Sequence, residues 1–141
     1  MLTYKLATRE QYDIFWQFIS RQATDYMQMT LEEARHLFGT VGQTYGIYQE
    51  DALVGFYWIE ERDNVLYLVG LVLASEFQGK GIGTQVLTML ATTYCGRVGT
   101  IELRVHKSNV RARSLYERLG YQTVRYMDDS GFNIMQHSLV A

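Results

Sequence analysis

The fold is decided by the stretch Leu71-Val72-Leu73-Ala74-Ser75-Glu76-Phe77-Gln78-Gly79-Lys80-Gly81-Ile82-Gly83-Thr84, in which a strand runs through a glycine-rich turn into a helix. A helix that starts in this way presents unpaired backbone N–H groups and the positive end of its dipole. Because glycine has no Cβ, a phosphate can approach the backbone closely, and Lys80 adds a cation. The pattern predicts a diphosphate-binding turn. The alternative is a tight strand-to-helix turn that binds no ligand.

Two familiar phosphate motifs do not match this turn. The P-loop requires a lysine followed by Ser or Thr, and Lys80 is followed by Gly81. The dinucleotide fingerprint requires the spacing G-x-G-x-x-G, whereas Gly79, Gly81 and Gly83 alternate with single residues. The pattern that is present is Q-x-x-G-x-G, formed by Gln78 and the last two of these glycines.

The segments around the turn predict one α/β domain. Residues 65–73 are a nearly continuous apolar run of β-formers, which is typical of a buried central strand, and a helical stripe runs from Val86 to Tyr94. The order β-αα-βββ-α-β-α-ββ predicts a mixed sheet in a single domain, residues 1–141. The other predicted strands are at 2–6, 45–49, 53–60, 101–105, 121–127 and 133–139, with turns at Glu50-Asp51 and Asp63-Asn64. The other predicted helices begin with a capping box at Thr8 and Gln11 and run to Tyr26, span Thr30–Phe38, and run from Asn109 to Leu119.

Composition excludes several classes of protein. The chain has 141 residues, of which 48% are hydrophobic and 20% charged, as in an ordinary globular domain. A single cysteine, Cys95, rules out an intramolecular disulfide framework and a multi-cysteine zinc site, and the three histidines lack metal-ligand spacing, so no metal is predicted. No apolar run approaches the roughly 20 residues that span a bilayer, and residues 1–5 lack the layout of a signal peptide. These features predict a cytoplasmic protein that does not bind membranes.

Charge is divided unevenly along the chain. The formal net charge of −2 argues against nonspecific binding of nucleic acid. Residues 1–76 carry 5 basic and 11 acidic side chains, a net −6, whereas residues 77–141 carry 8 basic and 4 acidic ones, a net +4. The division favours two ligand surfaces, one for an anion and one for a cation, with chance as the alternative.

A second motif follows the glycine turn by about thirty residues, and its members are Asn109 at a helix start, Ala112, Leu115-Tyr116 and Leu119-Gly120-Tyr121. Together with the Q-x-x-G-x-G pattern, it resembles the GNAT superfamily of N-acetyltransferases over roughly residues 65–126. The resemblance implies a mostly antiparallel sheet flanked by helices. Its central parallel strands, here 65–73 and 101–105, would splay apart around acetyl-CoA.

The resemblance also implies which residues bind acetyl-CoA. The pyrophosphate would lie on the glycine turn, and backbone groups of the preceding strand would pair with the pantetheine arm. Backbone N–H near Leu71 would polarise the thioester carbonyl. Asn109 would contact the cofactor arm, although asparagine is also a common helix N-cap. The implied set is Leu71, Val72, Leu73, Gln78, Gly79, Lys80, Gly81, Ile82, Gly83, Thr84 and Asn109.

Tyr116 is the general acid that the resemblance implies, protonating the departing CoA thiolate. A phenol of pKa near 10 can donate to a thiolate whose conjugate acid has a pKa near 8.5 when the two are in contact. The alternative is a core aromatic, because Ala112, Leu115 and Leu119 surround Tyr116 on the predicted helix.

The general base does not carry over from the family. Some members have a glutamate five residues before the motif asparagine, and Arg104 occupies that position here. Glu102 shares a strand face with Arg104 and is a candidate base, with a salt bridge as the alternative. Glu60, Glu61 and a water molecule are the other candidates.

The resulting hypothesis is an N-acetyltransferase in which an amine attacks acetyl-CoA directly in a ternary complex. The acceptor would be a small-molecule or peptide amine, and the acidic residues 1–76 favour a cationic one. Dimers are common in the family, so a homodimer is an expectation. The alternative is a non-catalytic acyl-CoA-binding or regulatory module on the same fold.

Overall fold

The computed structural model describes residues 1–22 and 41–139 of the chain. The predicted helix Thr30–Phe38, and the continuation of the first helix to Tyr26, lie outside these residues. The described elements are β1 (Leu2–Leu6), α1 (Tyr12–Gln22), β2 (Gln43–Gln49), β3 (Ala52–Arg62), β4 (Val65–Leu73), α2 (Ile82–Tyr94), β5 (Thr100–His106), α3 (Val110–Arg118), β6 (Gln122–Met127) and β7 (Phe132–Ser138).

One seven-stranded sheet organises the fold, with strand order β1-β2-β3-β4-β5-β7-β6. Every neighbouring pair is antiparallel except β4–β5. The parallel register joins only Val65–Leu68 to Thr100–Leu103, and beyond these residues the two strands diverge. The single α/β domain with a mixed, mostly antiparallel sheet and splayed central strands is therefore confirmed.

Two tight turns connect β2, β3 and β4. Glu50 and Asp51 have φ of 49° and 72°, and Asp63 and Asn64 have φ of 54° and 66°. Two consecutive left-handed residues match the twist of a hairpin, and Asp and Asn tolerate this conformation better than most side chains do. Both predicted turns are confirmed, and they join β2 and β3 in antiparallel register to the central strand β4.

Helices cover both faces of the sheet. On one face α2 packs over β4 and β5 and contributes Val86, Leu87 and Leu90 to a large buried cluster. On the other face Phe15 of α1 is fully buried, and its ring centroid lies 5.1 Å from that of Phe56. Burying such a side chain stabilises the fold by roughly 1.5–3 kcal/mol. The face that α1 covers and the face that α2 covers are called the α1 face and the α2 face.

Local signals set the helix starts. The predicted capping box at Thr8 is present, with the Thr8 N–H donating to Gln11 Oε1 at 2.9 Å. A short 3-10 turn, Arg9–Gln11, precedes α1. Helix α2 begins at Ile82, directly after Gly81, whose φ is 81°. None of the helices in residues 1–22 and 41–139 is long and apolar enough to cross a membrane.

Candidate functional site

A cleft of about 780 Å³ opens where β4 and β5 diverge. The N-terminal turn of α2 and the helix α3 also border it. It brings together residues that are far apart in the sequence. The predicted site residues that line it are Leu71, Val72, Leu73, Gln78, Gly79, Gly81, Ile82, Gly83, Thr84, Glu102, Asn109 and Tyr116.

Lys80 is the predicted site residue that does not line the cleft. Its Nζ lies 5.7 Å from the ring centroid of Phe77, a cation–π arrangement on an exposed side chain. Arg111 of α3 reaches the turn, because a Cβ built on Gly79 would lie 2.6 Å from Arg111 Nη2. Arg111 is therefore a cation beside the glycine turn in addition to Lys80, which is part of the turn.

The glycine turn leaves room at the start of α2. A Cβ built on Gly81 would have no atom within 4 Å, and a Cβ on Gly83 would meet Leu115 Cδ2 at an ordinary 3.6 Å. Both residues line the cleft, next to the free N–H groups of the first turn of α2. Gln78 Nε2 donates to the Leu73 carbonyl at 3.1 Å and ties the turn to the end of β4. This geometry suits an anion at the helix start.

The divergent half of β4 presents a strand edge to the cleft. The Ala74 N–H donates to Val54 O at 2.9 Å on the β3 side. Because antiparallel pairs alternate, the N–H and C=O groups of Leu71 and Leu73 point the other way, toward the gap. An extended ligand arm can pair with such an edge.

A bulge lies beside this edge. Trp58 pairs with Gly70 and Ile59 with Leu68, so Val69 is the extra residue in β4. A bulge bends its strand and disrupts the local ladder, and bulges are over-represented next to active sites. Here it coincides with the last β4–β5 pair, Leu68 with Leu103, which links the bend in β4 to the opening of the cleft.

Asn109 is the N-cap of α3. Its Oδ1 accepts a hydrogen bond from the Ala112 N–H at 3.3 Å. The cap, which the residue alone predicts, is thus present, and Asn109 also lines the cleft. By setting the start of α3, it sets which side of that helix, with Leu115 and Tyr116, faces the cleft.

Tyr116 lies on α3 between the core and the cleft. Its ring centroid is 5.8 Å from that of Tyr121. Burial raises the pKa of Tyr116 to about 12 by desolvating the phenolate. No hydrogen-bond partner of its hydroxyl lies within the described ranges 1–22 and 41–139. At neutral pH the side chain is therefore a phenol that can donate its proton to a ligand.

A row of polar side chains crosses the α1 face of the sheet next to the cleft. The register aligns Glu60 of β3 with Tyr67 of β4, Tyr67 with Glu102 of β5, and Glu102 with Gln136 of β7. Glu60, Tyr67 and Glu102 line the cleft. This set of residues is called the cross-strand row.

The two carboxylates of the cross-strand row have different partners. Glu102 Oε1 accepts a hydrogen bond from Gln136 Nε2 at 2.8 Å, so its partner is a neutral amide. Glu60 Oε1 lies 3.3 Å from Arg62 Nη1, so its partner is a cation. Within the described residues Glu102 forms no salt bridge, which was the alternative to its role as a base.

Other acidic candidates lie outside the cleft. Glu61 is on the α2 face and pairs with Arg97 at 2.7 Å. Glu50 and Asp51 are exposed in the β2–β3 turn, away from the cleft. In the described part of residues 1–76, Glu60 is the carboxylate that lines the cleft. Among the described residues no group of His, Cys, Asp and Glu could hold a metal ion.

Three contributors to the site were missed by sequence reasoning. Tyr67 is the polar-tipped residue in the otherwise apolar run of β4, and this exception was the available signal. Gln136 matters because it lies opposite Glu102, and Arg62 because it reaches over Tyr67. Gln136 depends on the register of β5 with β7, which are far apart in the chain, whereas the short turn at Asp63-Asn64 sets the β3–β4 register that brings Arg62 near Tyr67.

One cleft contains a glycine turn at a helix start, an open strand edge beside it and a partly buried tyrosine. This combination is the one expected of an acyl-CoA-dependent transferase. The family model described as "Acetyltransferase (GNAT) family" matches residues 7–121. The chain belongs to this family and is an acetyltransferase.

Known relatives share this class. The spermine/spermidine N(1)-acetyltransferase of Bacillus subtilis (strain 168) is 30% identical over 139 residues, which covers 86% of this chain and 87% of that protein. The ribosomal-protein-S18-alanine N-acetyltransferase from Escherichia coli aligns with a TM-score of 0.80 at 20% identity, over 100% of this chain and 96% of that one. The spermidine N-acetyltransferase from Vibrio cholerae in complex with CoA and spermine aligns with a TM-score of 0.80 at 16% identity, over 98% and 95%. At these identities the two structures show a shared fold.

Proposed function

We propose that the protein transfers the acetyl group of acetyl-CoA to a primary amine that carries a second positive charge. The observation that carries the proposal is the composition of one cleft, which has an anion-binding turn at one end and the carboxylates of the cross-strand row beside it. The Bacillus subtilis relative is named for spermine and spermidine, amines of this class.

The residues present fit acetyl-CoA. The open space at Gly81 and the free N–H groups of α2 suit the pyrophosphate, and Arg111 adds positive charge beside them. The cleft-facing N–H and C=O of Leu71 and the N–H of Leu73 suit the amide-containing pantetheine arm, while the Leu73 carbonyl accepts from Gln78. When bound, acetyl-CoA supplies the acetyl group as a thioester, and this group moves from sulfur to the acceptor nitrogen.

Glu102 and Tyr116 are the residues that accept the proton of the amine and donate one toward the leaving sulfur. An acceptor amine is mostly protonated at neutral pH, and Glu102 accepts a proton from it, directly or through water, to free the nitrogen lone pair. Tyr116 donates its hydroxyl proton toward the departing sulfur. Direct attack by the amine is favoured over an acyl-enzyme intermediate on the single cysteine, because Cys95 lies outside the cleft. Cys95 follows the end of α2, and its thiol donates to the Leu139 carbonyl at 3.4 Å.

Salt dependence tests the class of acceptor. Measured at low ionic strength, kcat/KM should be higher for a diamine than for a matched neutral amine, and lowest for a matched anionic amine, because the carboxylates attract the cation. The preference should shrink at high salt, since the Debye length at about 0.1–0.15 M is only about 8–10 Å. A preference for the anionic amine contradicts the assignment. Acetyl-CoA binding without acetylation of any amine would favour the non-catalytic alternative.

Gly83→Val tests the phosphate turn. Valine side-chain atoms would enter the space in front of the first turn of α2, so acetyl-CoA affinity should fall tenfold or more, about 1.4 kcal/mol, in calorimetry. Thr88→Val is the matched control, because it places the same residue on an exposed position of α2 outside the cleft. Unchanged affinity in a folded Gly83→Val variant would remove the turn from the binding site.

A further inference from the structure

Arg62 covers two groups that could otherwise bind a cation. Its Nη1 lies 3.3 Å from Glu60 Oε1, and its guanidinium carbon lies 4.7 Å from the ring centroid of Tyr67. A carboxylate beside an aromatic face is a favourable site for an alkylammonium group, through charge-assisted hydrogen bonding and cation–π attraction. Arg62 itself lines the cleft, so the protein's own cation occupies this site.

The position of this site suits the remote end of an acceptor. Glu60 and Glu102 lie on one face of the sheet with Tyr67 between them. Since neighbouring strands are about 4.7–4.9 Å apart, their backbones are separated by about 10 Å. An acceptor whose reactive nitrogen lies near Glu102 would therefore direct its second charge toward Glu60.

Arg62 is weakly held. Its side chain is 56% exposed, against 24% for that of Glu60. An exposed ion pair contributes little to stability, because water screens it and both side chains lose rotamer freedom. A long, flexible arginine can thus leave Glu60 and Tyr67 with little loss and move into solvent.

We infer that Arg62 is a specificity-determining residue that acts as an internal competitor of the acceptor, covering Glu60 and Tyr67 until the second ammonium group of a diamine displaces it. The inference rests on the proposed function. Arg62 sets how strongly the enzyme favours diamines over monoamines. It does so by reducing the free energy gained when the second ammonium group binds at Glu60 and Tyr67. The contacts of the reactive amine are unaffected.

Arg62→Ala should strengthen the preference for diamines. We expect KM for a diamine to fall about threefold to fivefold, the range that an exposed ion pair supports, while KM for the matched monoamine changes less than twofold. Because the added attraction is electrostatic, the gain should shrink at high salt. Steady-state kinetics at low and high ionic strength measures both effects.

Arg97→Ala is a matched control. Arg97 pairs with Glu61 at 2.7 Å, and its guanidinium carbon lies 5.0 Å from the Tyr94 ring centroid, so it has the same kinds of partner outside the cleft. This variant should change neither KM. Equal changes for diamine and monoamine in Arg62→Ala, or a higher KM for the diamine, would overturn the inference.

A binding measurement separates this inference from the proposed function. Calorimetric titration of the diamine without acetyl-CoA should show tighter binding to Arg62→Ala than to the unsubstituted protein. If no amine is acetylated but this difference is observed, the proposed reaction fails and the competition by Arg62 stands. If acetylation occurs and binding of the diamine is identical in the two proteins, only the inference about Arg62 is wrong.

Discussion

Tyr116→Phe is expected to lower turnover by roughly 10² while leaving acetyl-CoA affinity little changed. The substitution keeps the ring, which packs against the core cluster and lies 5.8 Å from Tyr121 between centroids. It removes only the hydroxyl that, in the proposed function, donates toward the departing sulfur. Single-turnover kinetics, in which chemistry is measured apart from product release, checks the effect.

Tyr121→Phe is the control for this variant. The Tyr121 hydroxyl is buried without a hydrogen-bond partner among the described residues, and Tyr121 does not line the cleft. Its removal should leave turnover unchanged and the melting temperature equal or higher, because an unsatisfied buried hydroxyl is destabilising. If Tyr116→Phe retains turnover within about twofold, Tyr116 is a structural residue.

The pKa of Tyr116 determines the pH range in which its protonation state affects activity. Burial raises this pKa to about 12, so the acid form persists through neutral pH and is lost only at strongly alkaline pH. Tyr116 should therefore cause no loss of activity below about pH 10. Because this phenol is a much weaker acid than a thiol, the role that we propose for it is mainly to donate a hydrogen bond to the departing sulfur. The proton that the amine releases would complete the protonation of the thiolate.

Glu102→Gln is expected to lower kcat/KM by about 10² at neutral pH, the lower end of the range for loss of a general base. The amide can still accept a hydrogen bond from Gln136, so the local geometry is retained. The loss should shrink as pH rises toward the pKa of the acceptor amine, because the amine then loses its proton without help. A pH–rate profile of the variant measures this recovery.

Glu60→Gln distinguishes proton transfer from charge attraction. Glu60 belongs to the same row but pairs with Arg62, so its loss should raise KM for a diamine without altering the shape of the pH profile. A Glu102→Gln profile that runs parallel to that of the unsubstituted enzyme would mean that water, and not Glu102, accepts the proton.

The fold was largely predictable because its signals are local. Apolar periodicity marked the strands and helices, and the left-handed turn at Asp63-Asn64 follows from side chains that tolerate that conformation. The observed ends of the elements differ from the predicted ends by up to a few residues. For example, β3 extends to Arg62, whereas the predicted strand ends at Glu60. Homodimer formation, the cytoplasmic location and the residue roles at the site stay predictions.

The contents of the cleft were only partly predictable. Gln78, Gly81 and Tyr116 belong to motifs whose members lie close together in the sequence, and all three line the cleft. Lys80 belongs to the same motif yet extends over Phe77, because the rotamer of an exposed lysine depends on its neighbours in three dimensions.

The sequence by itself determined the order of elements, the glycine turn at the start of α2 and the tyrosine on α3, because turns, caps and periodicity depend on residues within a few positions of one another. Only the tertiary structure decided that β4 and β5 part after Leu68, and that Glu60, Tyr67 and Glu102 share one row with Arg62 over it. Strand register sets these neighbours, and a shift by one residue would turn each side chain to the other face of the sheet. The registers of β4 with β5 and of β5 with β7 depend on packing between segments far apart in the chain, so Glu102 joins Glu60 and Tyr67 only when the sheet is assembled.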